Sequence, residues 1–159
     1  MDSSVARLTR RNENIPRIGA LLDHVRSYYE ALNTGDPTRV AAHFTEDAVH
    51  YYTRLGPHRG ARVIGEHTRA TVEQKAGRWH LEEGLEDRNR VVIEWSMTWR
   101  DPRSGAARLD RGTEWFEFRD GKISEVRAYH HSDAGNRSGD LLGFDHAARG
   151  HTMLPEAPA

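Results

Sequence analysis

Ten histidines are spread along a chain that has no cysteine and only two lysines, Lys75 and Lys122. These counts decide which chemistries are open. Histidine, with an unperturbed pKa of about 6.5, takes and returns protons near neutral pH without retuning, so general acid–base catalysis is within reach. Zero cysteines remove a thiolate nucleophile, a disulfide framework and any cysteine-ligated zinc or iron–sulfur centre. Two lysines leave little scope for Schiff-base chemistry and shift cationic work onto arginine. No His-Glu-x-x-His pair occurs. The nearest histidine pairs are His130/His131, which a strand would send to opposite faces, and His146/His151 near the C-terminus, so no metal site is expected. The glycine-rich phosphate cradles and the G-x-S-x-G nucleophile elbow are absent as well. No cofactor is expected.

The 159 residues fit one domain with one core. A composition of 36% hydrophobic and 30% charged residues is that of a globular protein. No apolar run approaches the roughly 20 residues of a membrane helix, so no membrane contact is expected. The net charge of −1 offers no field for a phosphate polymer, which argues against a nucleic-acid partner. Residues 1–16 contain Arg7, Arg10 and Arg11 but no apolar block after them, so they read as a flexible arm of a cytoplasmic protein rather than a signal peptide.

The elements that must position any site follow from periodicity. Ile18, Leu21, Leu22, Val25, Tyr28 and Leu32 recur at helical spacing and predict an amphipathic helix over about 17–33. Asp36-Pro37 caps and opens a short helix that buries Val40, Ala41 and Phe44. The run 48–53 is rich in strand formers, Gly56-Pro57 breaks it, and a further helix spans about Ala61 to Gln74. After Gly77 four strands are expected, over 79–87, 90–100, 107–119 and 122–131, the last pair joined by Asp120-Gly121. Helices first and an antiparallel meander afterwards imply an α+β fold, with helices laid on one face of the sheet. The domain is expected over 17–131, with 132–159 as a C-terminal extension. Leu141, Leu142, Phe144 and Met153 in that extension are too apolar for a free end. It is therefore expected to pack on the domain or a dimer partner, and to be placed where it could cover a pocket mouth.

The run from Val25 through Tyr28, Tyr29, Asn33, Gly35 and Asp36, followed by Ala42-His43-Phe44-Thr45-Glu46-Asp47-Ala48, resembles the opening of the nuclear transport factor 2-like superfamily. Gly112-Thr113-Glu114-Trp115-Phe116-Glu117-Phe118 to Ile123, then Glu125-Val126-Arg127-Ala128-Tyr129, resembles the last hairpin of SnoaL-like polyketide cyclases and ketosteroid isomerases. The resemblance covers about 20–131 and implies a cone-shaped, cystatin-like α+β barrel: N-terminal helices packed on a strongly curved, mostly antiparallel sheet around a deep apolar pocket. The scaffold hosts isomerases, dehydratases, cyclases, epoxide hydrolases and non-enzymatic binders, so function lies in the pocket lining.

By similarity to ketosteroid isomerase, the inward residues are His50, Tyr52, Ile93, Trp95, Met97, Trp99, Glu114, Phe116, Val126, Ala128 and His130, with Tyr28 reaching in from the first helix. Tyr28 falls where the isomerase has its oxyanion-binding tyrosine, and Tyr52 where it has its carboxylate base. Glu114 falls at the position of its protonated aspartic acid. Ala128 stands where limonene epoxide hydrolase and SnoaL place a catalytic aspartate. Tyrosine, histidine and glutamate without the usual carboxylate base are closer to the scytalone dehydratase variation. His50 and His130 are accordingly the base candidates, Glu114 their orienting or acid partner, and Tyr28 and Tyr52 neutral donors. Trp95, Trp99, Met97, Phe116, Ile93 and Val126 are the expected substrate-binding wall, for a flat, apolar substrate carrying one or two oxygens.

The competing reading of Glu114 is an ion pair with Arg111 or Arg127, and His24, His43, His58, His67 and His80 read as surface or packing residues. Glu94, Arg100, Arg108 and Arg127 are expected on the outer sheet face, which in this superfamily often packs against a second subunit; a homodimer is therefore expected. Three functions remain open at this point. One is a SnoaL-like enzyme for cyclisation, dehydration or isomerisation in natural-product biosynthesis or catabolism. The second is a non-catalytic carrier of a hydrophobic ligand. The third is an association module with a filled cone.

Overall fold

The helical stripe that opens the chain buries Val25, Tyr28, Tyr29, Ala31 and Leu32, and it forms helix α1 (Ala20–Leu32). Its first free backbone donors need a partner, because the first turn has none within the helix. Glu86 supplies it by accepting from the Leu21 and Leu22 N–H groups at 3.0 and 2.9 Å, a carboxylate at the positive end of the helix dipole. Helix α2 (Pro37–Ala41) starts on Asp36, whose carboxylate accepts from the Thr38 and Arg39 amides. A computed structural model describes residues 19–53, 55–130 and 139–155. The expected arm over 1–16 lies outside the described residues.

The remaining elements are β1 (Phe44–Tyr52), β2 (Gly56–Arg59), α3 (Ala61–Lys75), β3 (Arg78–Asp87), β4 (Arg90–Arg100), β5 (Ala107–Arg119) and β6 (Lys122–Tyr129). They build one six-stranded sheet in the order β2-β1-β6-β5-β4-β3. It is curved but open rather than closed into a barrel. The meander β3–β6 is antiparallel throughout, and β1 joins it parallel to β6. Register breaks between Phe44/Val49, Leu81/Glu83 and Glu117/Phe118 bend it, since a bulge sharpens local twist.

Strand β2 corrects one expectation. Gly56-Pro57 does not end the β structure; it begins a four-residue edge strand hydrogen-bonded to β1. Proline is tolerated there because an edge strand has one side with no ladder to donate to.

α3 crosses close to α2 at Gly65. A Cβ on Gly65 would lie 2.3 Å from the Pro37 carbonyl oxygen, so only glycine permits this approach. Val25, Phe44, Val91, Ile93, Phe116, Ile123 and Val126 pack a sealed core between α1 and the sheet, each at most 1% exposed. Asn33, just past α1, clamps β3: its amide donates to the Trp79 carbonyl and accepts from the Trp79 N–H, both at 2.8 Å. That clamp fixes Trp79 at the cavity wall.

The C-terminal stretch lies on the outer sheet face. Arg111 donates to Asp140 and to the Thr152 carbonyl, and the Thr152 N–H donates to Glu82. Its attachment is polar, whereas Leu141, Leu142 and Met153 are largely exposed. Among the described residues no helix is long and apolar enough to cross a membrane.

Candidate functional site

A cavity of about 200 Å³ lies between the open half of the sheet, the end of α1 and the inner face of α3. Tyr28, His50, Tyr52, Glu114 and His130 all line it, as do Trp95 and Met97. Strand alternation brings them together: Ile93 pairs with Glu114, Glu114 with Ala128, and His50 with Val126, so these positions share the inner face. Ala128 beside Glu114 is small, which leaves space in front of the carboxylate.

Glu114 is 7% exposed and makes no ion pair with Arg111 or Arg127. Instead Tyr29 donates to its Oε2 at 2.8 Å, while Oε1 faces His50 Nε2 at 3.6 Å. His50 is 2% exposed, and neither ring nitrogen has a hydrogen-bond partner among the described residues. Its ring stacks on Tyr52 at 3.8 Å and 14°, as residues two apart on a strand face allow. The Trp95 indole N–H is also buried without a partner. A buried polar group normally finds a partner; three such atoms around one cavity are therefore free for a ligand.

Burial raises the phenols of Tyr28, Tyr29 and Tyr52 well above their ordinary range, with the Glu114 carboxylate adding to each, so all three are neutral donors at neutral pH. His67 is pushed down to about 4 by burial first, then by His58, His50 and Lys75, and is uncharged at neutral pH. Burial raises the Asp110 carboxyl, offset by the Trp99 indole, His130 and Lys75.

The position of His130 is set locally. Thr53 Oγ donates to the Ala128 carbonyl at 2.7 Å and accepts from the His130 N–H at 3.3 Å, tying the end of β6 to the loop after β1. Gly112 lies beneath it; an added Cβ would meet the Tyr129 carbonyl at 2.5 Å, the Trp95 ring at 2.6 Å and His130 Cβ at 2.8 Å.

Part of the expected wall lies elsewhere. Ile93, Phe116 and Val126 face inward but are sealed in the core, at 1%, 0% and 0% exposure, and do not line the cavity. Alternation gives the face of a strand residue and not its depth, and the rings of Tyr28 and Phe44 fill the space next to Phe116. Trp99 is half-buried under the Lys75 ammonium, outside the lining. Arg108 pairs with Trp99 and so lies on the inner face rather than the outer one.

Sequence reasoning missed Tyr29, His67, Lys75, Trp79 and Asp110. The signal for three, His67, Lys75 and Asp110, was present. Ile64, His67, Thr68, Thr71 and Lys75 recur at three-and-four spacing, a half-polar stripe on a helix that faces the sheet, and Asp110 shares the inward parity of Glu114. The metal-compatible grouping among the described residues is outside the cavity: Glu83, Glu94 and His151 on the outer face, with ligand atoms within 4.8 Å of one another.

The pattern of a SnoaL-like domain matches residues 25–126, and the chain belongs to that family. No curated protein matches the chain in sequence. Among solved structures it is similar to a protein of unknown function with a cystatin-like fold from Methylobium petroleophilum. That match has 30% identity over 90% of this chain and 98% of the other, with a TM-score of 0.65. A hypothetical protein with a ketosteroid isomerase-like fold from Catenulispora acidiphila matches at 14% identity over 77% and 97% of the two chains, TM-score 0.65. An LEH-like epoxide hydrolase of M. tuberculosis matches at 20% identity over 77% and 89%, TM-score 0.65. The last two show the shared fold alone.

Proposed function

We propose that the chain is a cofactor-independent, cytoplasmic SnoaL-like enzyme that moves protons on a small, flat, oxygenated substrate, in an isomerisation, dehydration or cyclisation. The observation that carries this reading is His50, buried with both nitrogens unpartnered and facing a carboxylate that a tyrosine already holds. The His50 lone pair takes a proton from an activated C–H or O–H of the substrate. The resulting imidazolium faces Glu114 at 3.6 Å, which stabilises it. Tyr28 and Tyr52, neutral phenols, donate to the oxygen on which negative charge develops. His130, also in the lining, is placed to return a proton elsewhere on the substrate or to a departing hydroxyl.

The test is hydrogen–deuterium exchange at the acidic carbon of 2-tetralone in D2O, followed by NMR. Exchange above the buffer rate is expected with the wild type, and His50→Ala should lower it roughly 10²–10⁴-fold, the usual worth of a positioned base. Unchanged exchange in His50→Ala, with 2-tetralone still bound, would favour the second reading: a carrier. The specific observation behind the carrier is the absence of a family carboxylate at Tyr52 and Ala128.

The proposal includes a homodimer through the outer sheet face. Tyr51, Trp115 and Tyr129 are 39%, 38% and 53% exposed there, with the Arg127 guanidinium 5.9 Å over the Trp115 ring. Light scattering on a sizing column should give twice the monomer mass, and Trp115→Glu should halve it.

A further inference from the structure

One cation stands at the rim of the cavity. Lys75 is the last residue of α3, half-buried, and it lines the cavity, as do Asp110 and the exposed Leu55, through which the cavity reaches solvent. Its ammonium lies 5.1 Å from the centroid of the Trp99 ring, a cation–π distance that holds the side chain across the mouth. Among the described residues no carboxylate comes within 4.0 Å of it, whereas Arg69, Arg108, Arg111, Arg119 and Arg127 all have such partners. The choice of side chain is also informative. In a sequence where nearly every cation is arginine, this is one of two lysines. Lysine presents a compact charge that can turn toward a single group, where a guanidinium would fill the mouth. The charge is felt inside: it contributes to holding down His67, after burial and the neighbouring histidines, and to pulling back Asp110.

We propose that Lys75, steadied on Trp99, is the specificity determinant of the cavity and selects flat aromatic or polyenic substrates that carry an acidic group, a carboxylate or an acidic enol, at the end left in the mouth. This rests on the cavity being the ligand site. It adds a polarity to the bound substrate: the oxygen to be polarised goes inward to Tyr28 and Tyr52, and the anion stays at the rim, on the side of Lys75. Asp110 stands at the same rim, where burial raises its carboxyl and the Trp99 indole, His130 and Lys75 act against that rise. A cation in the last turn of a helix is also favoured by the helix dipole. That purely structural role predicts a change in stability on substitution and no discrimination between ligands.

The experiment separates these. Binding of 2-naphthoic acid and of methyl 2-naphthoate to the full chain is measured at pH 7.5 by tryptophan fluorescence and calorimetry, for the wild type, Lys75→Met and Lys75→Arg. The acid should bind the wild type about tenfold more tightly than the ester, the size of one charge-assisted contact. Lys75→Met should weaken the acid about tenfold and leave the ester unchanged, and added salt should weaken the acid alone. Lys75→Arg should keep part of the preference. Equal binding of acid and ester to the wild type, or an acid affinity unmoved by Lys75→Met, overturns the inference and leaves the cavity standing as a ligand site. Binding of neither probe overturns both.

Discussion

Arg111 and Glu114 stand three residues apart on β5, one on each face of the sheet, and both are buried, at 6% and 7% exposure. Their surroundings differ in one respect. Every side of the Arg111 guanidinium is engaged: Nε on Asp140 at 2.5 Å, Nη1 on Ser96 at 2.7 Å, and Nη2 on the Thr152 carbonyl at 2.9 Å and Met153 sulfur at 3.4 Å. Glu114 has one oxygen held by Tyr29, and the other looks across 3.6 Å at an imidazole with no hydrogen bond of its own. A buried charge with all its partners in the protein is architecture, because nothing is left to offer a ligand. A buried charge with a free valence beside a cavity carries a desolvation cost that a ligand entering the cavity can offset. The two faces of one strand thus separate a clasp from a site.

The widest way to break that contrast is to remove each charge. Arg111→Met should lower stability by about 3 kcal/mol, since it removes the buried cation that both Asp140 and Glu82 approach, and it should detach the C-terminal stretch. Urea melts and protease sensitivity near residue 140 measure both. Glu114→Gln keeps the shape and a carbonyl to accept from Tyr29, so its effect on stability should stay within about 1 kcal/mol, while 2-tetralone exchange falls. Equal losses of stability in the two variants would erase the distinction.

A second variant crosses from one face to the other. Gly112 lies between Arg111 and Thr113, and its missing side chain is what allows Trp95 and His130 to lie over the strand. Gly112→Ala should cost about 1–3 kcal/mol by overpacking, and it should displace the His130 ring. A crystal structure or the histidine NMR shifts would show the displacement, and an unmoved His130 would mean the sheet, rather than the ring, gives way.

How much of this was legible in the sequence follows from what each signal encodes. The strand runs 90–100 and 107–119 are recovered at their observed bounds, because alternation and a turn signal are local properties. Alternation likewise sends His50, Tyr52, Glu114 and His130 to one face. It is silent on depth, and Phe116 and Val126, inward by alternation, are sealed core rather than wall. Helical spacing does not tell which of two adjacent tyrosines turns toward a strand: the family resemblance points to Tyr28, which lines the cavity, and the hydrogen bond of Tyr29 to Glu114, 85 residues away, has no local sequence signal. Strand β2 was hidden because Gly-Pro is a breaker by propensity, and only its place on the sheet edge makes it a strand.

Tyr29→Phe sharpens the contrast at smaller scale. Removing one hydroxyl leaves packing intact and frees Glu114 Oε2, so stability should fall by about 1 kcal/mol. If Tyr29 positions Glu114, exchange should also drop by about tenfold, and the pH profile of exchange should move because the carboxylate has lost a donor. A packing role would lower stability without moving that profile.

The smallest expected effect is in the pH dependence of stability. His43 and His67 are each held down to about 4 from an ordinary 6.5, in both cases first by burial and then by neighbouring charge, His24 for one and His58 for the other. The unfolded chain therefore binds protons between pH 6.5 and 4 that the folded chain refuses, and stability falls as pH falls through that window. Both side chains are only half-buried, so solvent screens the effect and the slope should be shallow. Thermal melts from pH 7.5 to 4.5 should show a falling Tm in wild type, and His67→Gln and His43→Gln should each flatten it. The two differ in what a ligand does. His67 lines the cavity and His43 packs against His24 and Tyr28, so a bound aromatic acid should change the slope contributed by His67 and leave that of His43 as it was. A ligand that shifted both equally would have bound somewhere other than between α3 and the sheet.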